Sequence, residues 1–301
     1  METFPMATQH PQGQTPGEPS PKGRLPDFVV VGATKAGTTS LDFYLSLHPE
    51  IFMPRPKEAW FFMDGTHRSN WHRGEDWYQS LFKTTKRLCG EATPAYSQWP
   101  SRPRVAERIH RLMPGAKLIY LVREPLARLR SHYLMEARIG LTHLPFPDYI
   151  GAFPHAMDAS RYGTQLRNFL RFFPLHRIHL VESSRLATDT RETVREVFGF
   201  LGVDPSFDSP LFEQRLNVTR DQPFASPLGR RLLAAPWLGR LKRRLPPARF
   251  RRVRDALLLP FRVPTPDLAL PDAMERALRE DFRGEIESLR SLSGLPFASL
   301  G

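Results

Sequence analysis

The stretch Phe28–Pro49, FVVVGATKAGTTSLDFYLSLHP, decides the fold. Phe28 to Val31 are continuously apolar, the pattern of a parallel strand buried on both faces. Gly32 to Gly37 form a glycine-bounded loop. From Thr38 to Leu47 the residues Leu41, Tyr44, Leu45 and His48 recur at three- and four-residue spacing, which predicts a helix. His48-Pro49 ends it. A strand, a glycine loop and a helix in this order build an anion site, because the first helical N–H groups and the helix dipole face the loop. Lys35 adds a full charge, and Thr38 and Thr39 add hydroxyls. A Walker A loop carries its lysine after the last glycine, whereas Lys35 precedes Gly37. The loop is therefore a decayed ATP site, a plain strand-to-helix turn with a capping threonine, or a phosphate site for another donor.

Working outward, KLIYLV (Lys117–Val122) reads as a second buried strand and RIHLVESSRL as a third, followed by a turn. RLCGEATPAYS reads as a shorter strand entering a turn at Thr93-Pro94. Helices are predicted in DWYQSLF, in SRPRVAERIHRLMPGA, in EPLARLRSHYLMEAR with Pro125 in its first turn, in RYGTQLRNFLRFFP and in TDTRETVREVFGFLGV. Strands alternating with helices imply βαβ units and a parallel sheet with helices on both sides. Beyond Asp204 the pattern weakens into proline-rich turns, basic helices and a final helix, PDAMERALREDFRGEIESLRSLSG.

The chain has 301 residues, 41% hydrophobic and 25% charged, a globular composition. Residues 1–26, rich in Pro, Gly, Gln and Ser, read as a disordered tail. Residues 27–301 read as a single α/β domain whose last third, about 205–301, is helical and basic. Cys89 is the single cysteine, which excludes a disulfide framework and a cysteine metal cluster. No apolar run reaches the ~18 residues of a membrane span. No basic region followed by an apolar one marks a secretory signal. A cytoplasmic setting is expected, and the arginine-rich usage hints at a bacterial source. The net charge is +12 and the pI about 10.3, so the surface attracts anions. Much of the excess lies in RRLLAAPWLGRLKRRLPPARFRRVRD, Arg230 to Asp255. That stretch is either a solvated basic face or a surface for an acidic acceptor or peripheral membrane contact through Arg230–Arg254.

The strand Lys117–Val122 bears on the choice of ligand. Walker-type enzymes place an acidic residue at the end of a second strand to hold magnesium; here the strand ends in Arg123, which cannot hold a metal but can bind a phosphate, or else pairs with Glu124 or another surface carboxylate. Ser131 follows in the next helix. Two phosphate sites suggest a nucleotide with phosphates at two places. GATKAGTTSLDFYLSLHP resembles the 5′-phosphosulfate loop, and LIYLVREPLARLRSHY the 3′-phosphate motif, of sulfotransferases that use 3′-phosphoadenosine 5′-phosphosulfate (PAPS). KEAWFF, GEATPAYS and LRNFLRFFPLHRIHLVESSRL match segments of that family in order, so the resemblance runs from about Asp27 to Pro205. It is strongest toward the heparan sulfate branch and its soluble bacterial relatives.

The resemblance implies a P-loop NTPase-like sulfotransferase fold and transfer of a sulfuryl group to a hydroxyl, or less readily an amine, of a carbohydrate, lipid or small molecule. It implies PAPS as donor, no metal, no nucleic-acid partner and no transmembrane segment. Lys35, Ala36, Gly37, Thr38, Thr39 and Ser40 would bind the 5′-phosphate end, with Lys35 also neutralising the departing phosphate. Arg123 and Ser131 would hold the 3′-phosphate. Glu58 would be the catalytic base, with Glu91 as the second candidate carboxylate. Lys57, next to Glu58, could bind sulfate or acceptor, and the rigid turn at Thr93-Pro94 either places Tyr96 near the sulfate path or is a simple strand-to-helix corner. Ala92 departs from the family, whose heparan sulfate enzymes carry a lysine there, so their acceptor geometry is not carried over. Two readings from the residues compete: a small-molecule kinase with a degenerate Walker A loop, and a non-catalytic basic module that binds polyanions through Arg230–Arg254.

Overall fold

The structure is a computed structural model that describes residues 23–214, 224–233 and 235–300. Five strands form one parallel sheet: β1 (Phe28–Gly32), β2 (Ile51–Phe52), β3 (Leu88–Ala92), β4 (Lys117–Val122) and β5 (Ile178–Glu182). The order is β2-β3-β1-β4-β5. Every residue of β1 is buried, as a continuous apolar run demands of a central strand. The chain leaves β1 toward β3 on one side and returns to β4 on the other. The crevice of such a sheet opens where the strand order reverses, at the carboxyl end of β1, and the Gly32–Gly37 loop occupies that place.

The helices flanking the sheet are α1 (Thr38–Leu47), α2 (Gly74–Gln79), α3 (Val105–Leu112), α4 (Pro125–Ile139), α5 (Phe146–Ala152), α6 (Pro154–Asp158), α7 (Tyr162–Leu170), α8 (Ser183–Thr188) and α9 (Thr190–Leu201). Leu41 and Leu45 of α1, Val105 and Ile109 of α3, Leu166 and Phe169 of α7 and Val194, Val197 and Phe198 of α9 enter one core with the strands. Their three- and four-residue spacing is the inward stripe of amphipathic helices. Where a turn was expected after β5, the chain forms α8. Only Leu186 of that helix is buried, and six residues with one inward side chain carry no periodic signal.

After α9 come α10 (Pro227–Leu233), α11 (Pro236–Arg244), α12 (Pro247–Leu258) and α13 (Asp272–Ser293). A two-stranded antiparallel ladder, β6 (Phe224–Ala225) with β7 (Arg262–Val263), brackets the three middle helices. α13 returns to the body of the fold. Ile286 and Leu289 join the main core, and Leu278 and Phe282 join a second cluster with Leu126, Leu129 and Tyr149. At the amino end, most of the tail expected over residues 1–26 lies outside the described residues. Gly23 bridges Lys83, Leu25 packs on the core and Arg24 donates to the Lys86 carbonyl at 3.1 Å.

Candidate active site

The loop is shaped by its backbone. The Ala33 N–H bonds the Leu121 carbonyl at 2.8 Å, tying the end of β1 to β4, and the Ala36 N–H turns back onto Ala33 at 3.0 Å. Lys35 (φ 70°) and Gly37 (φ 99°) both take left-handed conformations, which swing the chain into α1. Gly37 is the N-cap of α1, and no side chain caps that end. The orphan N–H groups of the first turn therefore face the crevice, the arrangement that receives anions. Ser40 differs from its neighbours, because its N–H already bonds the Gly37 carbonyl at 3.0 Å.

Two arginines from the β4–α4 region hold the loop from behind. Arg123 donates to the Lys35 carbonyl at 3.1 Å, and Arg128 donates to the Thr34 carbonyl at 3.1 Å. Arg123 does not pair with Glu124. The Glu124 carboxylate caps α4 instead, accepting from the Leu126 and Ala127 N–H groups at 3.0 and 2.6 Å. The Tyr162 hydroxyl donates to the Arg123 carbonyl at 2.6 Å and steadies the strand end. Arg128 is fully buried; its remaining donors go to Ser160 Oγ at 2.7 Å, to the Ala156 carbonyl and to His132 Nδ1 at 3.1 Å. Ser131 lies in the second turn of α4, buried, three residues after Arg128 and so on the same helix face.

The third wall is the segment between β2 and α2. Glu58 (φ 70°) and Trp60 (φ 52°) are both left-handed, a conformation that costs about 1–3 kcal/mol for each such residue and persists only when neighbours hold it. The Asn70 side chain donates to the Ala59 carbonyl at 2.8 Å, the Asn70 N–H donates to the Trp60 carbonyl at 3.0 Å and the Phe61 N–H donates to the Tyr96 hydroxyl at 2.9 Å. Lys57 is thereby set against the loop, with Nζ 3.3 Å from Thr38 Oγ1, 3.5 Å from Thr39 Oγ1 and 3.8 Å from the Glu58 carboxylate.

Glu91, the second carboxylate weighed as base, has a different place. It is wholly buried and accepts from the hydroxyls of Thr93 at 2.6 Å and Tyr96 at 2.7 Å and from that of Tyr78. Burial pushes its carboxyl up against the pull of these bonds. With its side chain wholly buried and its oxygens bonded to three hydroxyls, Glu91 ties β3 to Tyr78 and Tyr96. Glu91→Ala strands three buried hydroxyls, each worth about 1–3 kcal/mol. Urea unfolding is expected to show a loss of about 3 kcal/mol or more. Glu58→Ala, at a part-exposed side chain, is expected to shift stability by less than about 1 kcal/mol.

Positive charge converges on the loop. Burial depresses the pKa of Lys35 to about 8, helped by Arg138, Arg123 and Arg128 and opposed by Glu58. Lys35 and Glu58 are thus electrostatic neighbours, although they come from different segments. Arg128 and Arg138 escaped the sequence reading. Arg128 had a signal, its three-residue spacing from Ser131; Arg138, in the last turn of α4, had none.

Behind the loop, Glu136 accepts from His155 Nε2 at 3.0 Å, from His132 Nε2 at 3.3 Å and from the Tyr149 hydroxyl at 2.9 Å. The two histidines and the carboxylate lie close enough to suggest a metal site, but the donor set opposes one. Burial lowers the pKa of His132 to about 4, so the ring is neutral. Arg128 donates to its Nδ1, leaving the ring proton on Nε2 and no lone pair there for a metal. A cleft of ≈450 Å³ lined by Asp27, Phe28, Leu88 and Lys117 lies at the amino ends of the strands, away from this crevice.

A glycine loop at the switch point of a parallel sheet, cradled by cations and beside a strand, β4, that is followed by Arg123, defines an α/β protein of the phosphate-loop class. Residues 25–226 match the sulfotransferase domain. The chain belongs to the sulfotransferase family. It is 34% identical over 213 residues to heparan sulfate glucosamine 3-O-sulfotransferase 6 of Homo sapiens, covering 66% of this chain and 59% of that one. It is 31% identical over 208 residues to bifunctional heparan sulfate N-deacetylase/N-sulfotransferase 3 of Homo sapiens, covering 62% and 23%. A membrane-associated sulfotransferase of Dictyostelium discoideum is 40% identical over 114 residues, 36% of this chain and 22% of that one. The chain thus spans less than two-thirds of each of these relatives. Among solved structures, a sulfotransferase from Alicyclobacillus acidocaldarius superposes with a TM-score of 0.64 over 92% of this chain and 99% of that one, at 23% identity. That likeness concerns the fold.

Proposed function

We propose that the chain transfers a sulfuryl group from PAPS to a hydroxyl acceptor. The observation that carries this reading is Lys57, whose Nζ lies 3.3 Å from Thr38 Oγ1 and 3.8 Å from the Glu58 carboxylate and so sets that carboxylate at the edge of a loop flanked by Arg123 and Arg128. In the proposed reaction the acceptor hydroxyl oxygen attacks sulfur in line with the bond to the 5′-phosphate. Glu58 takes the hydroxyl proton as the new S–O bond forms. The old S–O bond breaks with its electrons passing to the phosphate oxygen, where Lys35, Lys57 and the first-turn N–H groups of α1 meet the growing charge. Arg123 and Ser131 are assigned to the 3′-phosphate. Arg128 keeps the Thr34 carbonyl of the loop in place and is assigned no contact with a reacting atom. The kinase reading has no support in a strand that ends in arginine, and family membership does not favour either competing reading.

The test is calorimetric titration with 3′-phosphoadenosine 5′-phosphate in the absence of magnesium. Tight binding that Arg123→Ala weakens at least about tenfold supports the assignment, whereas binding of ATP with magnesium in preference to the bisphosphate overturns it. The pH dependence follows from Lys35. A phosphate anion favours the charged lysine, so its pKa rises on binding from about 8 toward the ordinary lysine value. Binding should then be level below pH 8 and weaken by up to about tenfold per pH unit above it, with proton uptake. Lys35→Arg, charged throughout, is expected to flatten the slope. A wild-type profile that is flat through pH 9 removes Lys35 from the phosphate site.

A further inference from the structure

The C-terminal helices carry a surface that the transfer reaction does not use. Between Arg230 and Arg254 the sequence holds ten lysines and arginines and no acidic residue. The structure sorts that charge. On α11, Leu238 is buried and Leu241 half-buried, while Trp237, Arg240 and Arg244 are exposed. On α12, Leu258 is buried, and Arg249, Arg252 and Val253 are exposed at three- and four-residue spacing. Among the described residues, the exposed arginines Arg240, Arg244, Arg249 and Arg252 form no ion pair; the one pair in this stretch is Arg254 with Asp255.

Apolar groups are exposed beside the charge. Trp237 is 45% exposed, Leu228 64% and Leu259 63%. Leu228 and Leu259 flank one small unit, in which Gly229 lies close against Phe261 and the Ser226 N–H bonds the Phe261 carbonyl at 2.8 Å. A solvated basic face has no use for an exposed tryptophan and two exposed leucines. A soluble polyanion is held chiefly by charge and has no use for exposed leucines. An anionic bilayer face uses both, since cations meet the headgroups while Trp and Leu enter the boundary with the acyl chains.

We propose that the outer faces of α10 to α12 form a docking surface for an anionic membrane. The surface is joined to the donor site. Arg138, whose charge acts on Lys35, stacks on Phe224 of β6 at 4.9 Å, and Arg230 packs against Gly140 at the end of α4. Docking through these helices is independent of the transfer chemistry.

The test is sedimentation of the full chain with phosphatidylcholine vesicles, with and without about 30 mol % phosphatidylserine, at about 0.1 M salt. Binding is expected only to the anionic vesicles and is expected to be lost on raising the salt. Reversing Arg240, Arg244, Arg249 and Arg252 to glutamate is expected to lower the partition coefficient at least about 100-fold. Trp237→Ala is expected to lower it about tenfold while leaving retention on heparin resin unchanged. Circular dichroism and an unchanged thermal midpoint establish that each variant is folded. If either variant loses its fold, quenching of Trp237 fluorescence by brominated lipid in the wild type, relative to Trp237→Phe, replaces it. Absence of vesicle binding, equal binding to neutral vesicles, or a Trp237→Ala variant that partitions like the wild type on anionic vesicles overturns the proposal. The last outcome would make the surface one for nucleic acid or sulfated polysaccharide.

Discussion

Glu58→Gln is expected to lower kcat for sulfuryl transfer about 10²- to 10⁴-fold, the usual contribution of a positioned general base, without weakening nucleotide binding. The amide keeps the volume and reach of the carboxylate but cannot take a proton. The backbone is held through Ala59, Trp60 and Phe61 by Asn70 and Tyr96, so the substitution leaves the left-handed turn in place. Two readouts separate chemistry from structure. Calorimetry with 3′-phosphoadenosine 5′-phosphate should report a Kd within about threefold of wild type, and turnover on a responsive acceptor should collapse. A variant with turnover near wild type removes Glu58 as the base. Glu91 does not then inherit the role, because its carboxylate is wholly buried and committed to three hydroxyls.

Lys35→Ala is expected to lower kcat/KM about 10²- to 10³-fold, the scale on which loss of one preorganised charge-stabilising donor is felt. Part of the loss should appear as weaker nucleotide binding and part as slower transfer, because the lysine meets charge that grows as the S–O bond breaks. Lys35 sits at φ 70°, where lysine and alanine, each with a Cβ, bear the same steric cost of roughly 1–2 kcal/mol, so Lys35→Ala removes the charge without changing the backbone cost. Lys35→Gly, which relieves that cost, is the companion variant. If the charge matters, alanine and glycine variants are both impaired and Lys35→Arg regains binding. If either variant transfers like the wild type, the lysine charge takes no part in the reaction.

The parts of this molecule that were readable before folding are those whose signal is local. α1 runs from Thr38 to Leu47 and β4 from Lys117 to Val122, the bounds that residue spacing and the apolar run predict. Both elements are fixed by neighbours within one or two turns, and glycine or proline marks their ends. α8 was missed because six residues hold too little periodicity. Arg138 was missed because its relevance depends on where α4 lies relative to the loop, a relation between residues about a hundred positions apart.

The two carboxylates show the same division. In the sequence Glu58 and Glu91 both lie in segments resembling the family, and only the resemblance ranks Glu58 first as the base. Tertiary packing separates them. β3 draws Glu91 into the core, where Tyr78, Thr93 and Tyr96 surround it, whereas the segment after β2 turns Glu58 outward beside Lys57 and Lys35. Likewise the sequence by itself determined that a strand, a glycine loop and a helix would present N–H groups and a lysine to an anion, because backbone geometry and side-chain period are local properties. Only the tertiary structure decided which charges share that crevice. Coulomb energy and desolvation depend on distance and burial in three dimensions, and spacing along the chain reports neither.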